Sequence, residues 1–164
     1  MGSQPLKVLI ADRDHALRTD LHRQLCDAGY SAQAVASGED AILLCDMDPP
    51  DVLILDRDLT DMDGFEVCER VRRDTGDGDK DLAVIMTAHV SDTMTRAYLG
   101  QMVDFAGGDY FLAKPWDIHL LLMLVEQISA SGHRPRAREA RLFPTRVVWP
   151  TKRPSVLVSG EPVR

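Results

Sequence analysis

Four consecutive aliphatic residues, Val52-Leu53-Ile54-Leu55, run straight into Asp56-Arg57-Asp58, and Gly64 closes the polar loop that follows. A short β-branched and aliphatic run that stops abruptly at acids reads as a buried central strand. Open α/β sheets gather their chemistry beyond the carboxyl ends of such strands. A carboxylate there is a metal ligand or a nucleophile open to phosphorylation; otherwise it is one more acid on a surface loop. The choice depends on what the remaining strands deliver to Asp56.

They deliver a consistent alternation. Leu6 to Ala11 is an apolar strand ending at Asp12-Arg13-Asp14. Asp14 is placed to cap a helix with Leu17, Leu21 and Leu25 as its inner stripe and Gly29 as its stop. Ser31 to Val35 is a weaker strand, and Ser37-Gly38-Glu39 opens a second helix with Ala41, Leu44, Cys45 and Met47 as candidates for its inner side. After the Asp56 strand, a third helix covers Phe65 to Arg73, with Phe65, Cys68 and Val71 or Arg72 inward. Leu82 to Met86 is a fourth strand with Thr87 at its carboxyl end, followed by a helix over about 91–105 and a short strand, Tyr110-Phe111-Leu112, leading to Lys114-Pro115. Asp117 caps a last helix to about Ser129. Five strands alternating with helices predict an α/β, doubly wound, five-stranded parallel sheet.

The chain has 164 residues, enough for one such domain over 1–130 and an appendage over 131–164. Its net charge of −7 is unevenly spread: residues 134–164 carry eight basic and two acidic side chains, so the body is strongly acidic. That balance argues against nucleic-acid binding by the body. Cys26, Cys45 and Cys68 lie far apart and read as small apolar residues of a reducing compartment. Met1 to Pro5 lacks the apolar run of a signal peptide, and no segment reaches the roughly 18–20 apolar residues of a membrane span, so a cytoplasmic protein is expected.

Two segments keep alternatives open. In the last helix Leu121, Val125, Ile128, Ile118 and Leu124 form the core face, widened by Leu120 and Leu122, while Met123 falls among polar residues. The excess is a broad core face, a bed for the tail, or a partner surface, including a homodimer through this helix. The tail, with Pro135, Pro144, Pro150, Pro154 and Pro162 among scattered arginines, reads as a disordered linker. Its other reading is an arm that docks on a neighbour through two short strands, 146–149 and 155–158.

In a parallel sheet Asp12, Asp56, Thr87 and Lys114 share one edge. Two carboxylates there suit Mg²⁺, which keeps waters and a phosphoryl oxygen among its ligands. One carboxylate can attack phosphorus while the metal, Lys114 and the Thr87 hydroxyl neutralise the equatorial oxygens. Four segments carry a specific resemblance: Val8-Leu9-Ile10-Ala11-Asp12; Leu53-Ile54-Leu55-Asp56 with Met62-Asp63-Gly64; Val84-Ile85-Met86-Thr87-Ala88; and Asp109-Tyr110-Phe111-Leu112-Ala113-Lys114-Pro115. Across residues 6–130 the chain resembles the CheY-like receiver domain of two-component response regulators.

The resemblance implies a phosphorelay protein that is not itself an enzyme. Asp56 would be the phosphoacceptor, served by a sensor histidine kinase or phosphotransfer protein. Mg²⁺ would be bound by Asp12, Asp56 and the backbone carbonyl of Asp58. Thr87 would be the switch hydroxyl, Phe111 the rotating aromatic, and Lys114 the partner of the phosphoryl group, followed by a cis Pro115. Signalling to a downstream protein target would use the face formed by the fourth helix, fifth strand and last helix.

The chain also departs from the family. Arg13 stands where a second metal-binding acid is usual, and Asp14 is taken up as a cap. Arg13 would weaken Mg²⁺, partly replace it, or hold Asp56 in an ion pair. Thr60 replaces the loop proline, Asp58 adds an acid two residues after the acceptor, and the stretch from Thr87 to Lys114 is longer than usual. Arg13 supports an alternative, a pseudo-receiver used for protein interaction without phosphorylation. A remoter alternative is a haloacid-dehalogenase-like phosphatase, with Asp56 as nucleophile and Asp58 as general acid. Against it, two strand-helix units precede Asp56, and the nucleophile strand of that family is normally first.

Overall fold

Every side chain of the strand Val52–Asp56 is buried, so this strand has neighbours on both edges and cover on both faces. The computed structural model describes residues 4–74, 82–90, 98, 101–102, 105–131 and 146–148. In chain order its elements are β1 (Lys7–Ala11), α1 (His15–Asp27), β2 (Ser31–Val35), α2 (Gly38–Met47), β3 (Val52–Asp56), α3 (Gly64–Asp74), β4 (Ala83–His89), β5 (Tyr110–Lys114), the last helix (Ile118–Ser131) and β6 (Arg146–Val148). The strands lie in the order β2-β1-β3-β4-β5-β6, and each adjacent pair is parallel. The five expected strands are all present, and the tail adds a sixth at the β5 edge.

Successive strand side chains point to opposite faces, and two cores result. Leu9, Leu53, Leu55, Val84, Met86 and Phe111 pack with Ala41 and Cys45 of α2 and Val67, Cys68 and Val71 of α3. On the other face Ile10, Ile54, Ile85 and Leu112 pack with Leu21 and Leu25 of α1 and Leu121, Leu124, Val125 and Ile128 of the last helix. Burying each such aliphatic side chain contributes roughly 1.5–3 kcal/mol. Helices on both faces make the fold doubly wound.

Helix ends follow local chemistry. Asp14 accepts the N–H groups of Ala16 and Leu17 and starts α1. Gly29 adopts a φ of 93° just past the end of α1, a conformation that costs glycine little. Ser37 accepts the Asp40 N–H at the start of α2, and Asp117 accepts the His119 N–H at the start of the last helix.

Some expectations change. Met47 is 73% exposed, because it stands about 200° around α2 from Cys45 rather than on its stripe. Val67, absent from the expected stripe of α3, is fully buried beside Cys68. The fourth strand continues through Thr87 to His89. The expected helix over 91–105 falls largely outside the described residues, although Tyr98, Gln101, Met102, Phe105 and Ala106 are helical. In the last helix the expected core face is buried apart from a half-buried Ile118; Leu120 and Leu122 are half-buried and Met123 is exposed. Of the two tail strands considered, Arg146–Val148 pairs with the chain's own β5, and 155–158 lies outside the described residues. No helix among the described residues is long and apolar enough to cross a membrane.

Candidate functional site

Two residues beyond Ile10, Ile54, Ile85 and Leu112, which pack under α1 and the last helix, stand Asp12, Asp56, Thr87 and Lys114. A strand repeats every two residues, so four apolar rows of one sheet face end in four polar groups at the carboxyl edge. Parallel pairing aligns them: Asp56 is in register with Thr87, and Thr87 with Leu112. Among the described residues these four are the buried polar or charged side chains, each no more than 6% exposed.

Lys114 ties the carboxylates together. Its Nζ lies 2.6 Å from Asp12 Oδ2 and 3.0 Å from Asp56 Oδ1, and 5.3 Å from the centre of the Trp116 ring. Asp12 Oδ1 accepts the Asp14 N–H at 2.9 Å, which fixes that carboxylate. Thr87 Oγ1 donates to Asp56 Oδ1 across 3.5 Å, the outer limit of a hydrogen bond, so the hydroxyl is only loosely held. Asp56 Oδ2 accepts no hydrogen bond among the described residues. The Lys114–Pro115 bond is cis.

Burial pushes the Asp56 carboxyl above the usual carboxylate range; Lys114 pulls it down, and Asp12 and Asp58 push it up again. Two buried carboxylates facing one ammonium group leave the pocket short of positive charge. A hard cation would relieve that repulsion, and Asp12 and Asp56 offer it oxygen donors only. These residues fit Mg²⁺, which needs one or two carboxylates and keeps waters in its other positions.

The loop after β3 is built around a close approach. A Cβ on Gly64 would lie 2.3 Å from the Asp56 carbonyl oxygen, so only glycine fits there. The Gly64 N–H donates to the Arg57 carbonyl at 2.7 Å, and the Arg57 N–H donates to the Thr87 carbonyl at 2.8 Å. Further along, Asp61 accepts the N–H groups of Gly38 and Glu39 and pins the loop to the start of α2. Those backbone donors hold the Asp61 carboxyl below its ordinary range. The Asp58 side chain turns to Arg57, whose Nε and guanidinium nitrogen lie 3.1 Å from its Oδ1.

The expected site residues do not all come together. Asp12, Asp56, Thr87 and Lys114 converge. The Asp58 carboxylate is occupied by Arg57. Arg13 is exposed and makes no hydrogen bond or ion pair among the described residues, so the ion pair considered between Arg13 and Asp56 is made by Lys114 instead. Asp14 is the helix cap, as expected. Phe111, 1% exposed, packs in the core on the opposite face from Thr87.

One arrangement went unread in the sequence. Arg72 of α3 lies 2.7 Å from Asp109 and donates to the carbonyls of Gly107 and Leu82 at 2.9 and 2.8 Å. Asp109 also accepts the Val84 N–H at 2.8 Å. The signal available was a charged residue falling on the inward stripe of a helix.

Known proteins are similar to this chain. Residues 8–126 match the response regulator receiver domain family. Response regulator MprA of Mycolicibacterium vanbaalenii is 37% identical over 119 residues, which cover 72% of this chain and 48% of that protein. MprA of Mycobacterium tuberculosis is 35% identical over 117 residues, covering 71% of this chain and 47% of the relative. The chain thus spans about half the length of these curated relatives. Among solved structures, a putative response regulator from Chloroflexus aurantiacus superposes with a TM-score of 0.66 at 32% identity, covering 77% of this chain and 98% of that one. The chemotaxis response regulator CheY4 of Vibrio cholerae gives a TM-score of 0.66 at 26% identity, covering 76% and 98%.

The phosphatase alternative fails against these matches and against the topology, in which β3 with Asp56 follows two complete strand-helix units. A parallel sheet with a buried Asp, Asp, Thr and Lys at its carboxyl edge, and a family match over most of its length, identify this chain as a member of the response regulator receiver domain family of two-component signalling.

Proposed function

We propose that Asp56 accepts a phosphoryl group from a sensor histidine kinase or a phosphotransfer protein. The observation that carries this reading is the asymmetry of its carboxylate: Oδ1 is held by Lys114 at 3.0 Å and by Thr87 at 3.5 Å, and Oδ2 is left as the attacking atom. Attack by that oxygen forms a bond to phosphorus as the donor's phosphorus–nitrogen bond breaks. Lys114 then turns from the carboxylate to the new phosphoryl oxygens. The loosely held Thr87 hydroxyl does the same, and the shift passes along β4 and β5 to Phe111.

Asp12, Asp56 and the Asp58 carbonyl would hold Mg²⁺, whose positive charge stabilises the equatorial oxygens in the transition state. The setting is cytoplasmic, with residues 1–130 as the receiver domain and 131–164 as a basic tail. Output goes to a downstream protein target or to a second copy through the last helix, not to nucleic acid or a membrane.

Incubation of the full chain with a small phosphodonor and Mg²⁺, read by mass spectrometry, tests the acceptor. The expected result is an adduct of about +80 Da that is lost in Asp56→Asn. Absence of an adduct at saturating donor overturns the reading and leaves the pseudo-receiver, which Arg13 favours by standing where a second metal-binding acid is usual.

The metal assignment has its own test. Arg13→Asp supplies a third carboxylate at the mouth of the pocket and removes an exposed positive charge. Mg²⁺ titration is expected to show about tenfold tighter binding, a change of about 1.4 kcal/mol. No gain would mean that position 13 stands too far from the cation to matter.

A further inference from the structure

The two edges of the five-strand sheet are unlike. β2, at one edge, is Ser31-Ala32-Gln33-Ala34-Val35, and none of its side chains is fully buried. β5, at the other, is Tyr110-Phe111-Leu112-Ala113-Lys114, and every one of its side chains is buried. An apolar edge strand with unpaired N–H and C=O groups is a template for another chain, and proteins protect such edges with charge, bulges or cover. β5 has no charge before Lys114, which is turned inward to Asp12 and Asp56. The tail supplies the cover instead: β6 pairs parallel with β5, with Tyr110 opposite Arg146, Phe111 opposite Val147 and Leu112 opposite Val148.

We propose that β6 is a cap in cis, a strand of the tail that occupies the β5 edge and keeps it from pairing with a second copy of this chain. Three features argue for the tail as occupant. First, parallel pairing needs a crossover of a dozen or more residues, usually including a helix, and the last helix with residues 132–145 supplies one. Second, Val147 and Val148 are β-branched, the residue type that suits a pleated edge. Third, covalent linkage makes docking intramolecular, which raises its effective concentration above that of a dilute second copy.

The cap is also detachable. Three residues form a short ladder, so the tethered strand holds the edge against dilute copies of the chain and yields it when docking is weakened. It covers the first three residues of β5, with Val147 opposite Phe111.

Proline substitution separates the cap from the rest of the fold. Alternate residues of a strand turn their N–H groups toward a given neighbour, so one of Val147→Pro and Val148→Pro removes a ladder donor from β6. The other places proline where the N–H faces away, a position that edge strands tolerate. Both variant chains and the parent are compared by amide hydrogen exchange of residues 110–112 and by light scattering across protein concentration. The parent is expected to protect the β5 amides that face away from β4 and to remain monomeric. One of the two variants is expected to exchange those amides about tenfold faster and to dimerise as concentration rises, with α1 and α2 amides unchanged as the control for folding. Equal exchange in all three chains would overturn the proposal. So would faster exchange in one variant with no change in mass, because the cap would then mask nothing.

Discussion

Replacing Lys114 with Met lowers unfolding stability by about 3–5 kcal/mol at neutral pH, the cost of breaking a buried charge set by removing one partner. Methionine fills much of the same volume, so the loss reports charge more than packing. Lys114 Nζ sits between Asp12 Oδ2 and Asp56 Oδ1; without it two buried carboxylates face each other with no cation from the chain. The pH dependence separates this cause from a packing defect. Asp56 already lies above the ordinary carboxylate value of 3.8 because of burial, and loss of Lys114 raises it further. An acid whose folded-state pKa is raised destabilises the fold fully above that folded pKa and not at all below the unfolded value. The deficit is therefore largest above that raised pKa and narrows as pH falls towards the unfolded value. Denaturant unfolding of parent and variant across this range checks it, and an equal loss at every pH would refute the electrostatic account.

Arg72→Ala is expected to cost a similar amount, about 3–5 kcal/mol, at a place remote from the carboxyl edge. The guanidinium bridges α3 to the segments leading into β4 and β5 through Asp109 and the Leu82 and Gly107 carbonyls. Alanine removes at least three hydrogen bonds at once and takes the guanidinium from the nearly buried Asp109 carboxylate. A double-mutant cycle with Asp109→Asn measures the coupling, expected within about 0.5–3 kcal/mol for groups in one network. If Arg72→Ala costs under about 1 kcal/mol, as solvent-exposed ion pairs do, the bridge is not holding these segments together. Phosphorylation of Asp56 should survive the change, because the bridge lies at the opposite end of β4 from Thr87.

What the sequence revealed, it revealed through period and position. Val52 to Asp56 could be read as a central strand because an unbroken apolar run has few alternatives, and once the strands were parallel their carboxyl ends had to share an edge. Asp12, Asp56, Thr87 and Lys114 were therefore legible as one site before any coordinate. Asp14 was legible as a cap because short acids at helix starts have a local role. Arg13 was not: a sequence position next to Asp12 says nothing about which way a long side chain turns, and this one turns to solvent. Arg72 was hidden for the converse reason, since its partner Asp109 is 37 residues away and no local period reports a contact at that separation. The sixth strand was ambiguous because a run as short as Arg146-Val147-Val148 carries too little pattern to decide between solvent, its own sheet and a neighbour's.

The loop that Gly64 closes has a consequence for direction. With the Asp56 carbonyl packed against Gly64, Arg57 bonded to Gly64 and Thr87 through its backbone, and Asp61 fastened to α2, one wall of the pocket has no room to give. The opposite wall holds the Thr87 hydroxyl by a single contact at hydrogen-bonding limit. A pocket with one clamped jaw and one loose jaw moves only on the loose side, whatever charge arrives in it. A new group on Asp56 would then drive displacement towards β4, β5 and the strand of the tail beyond them, and not back towards α2.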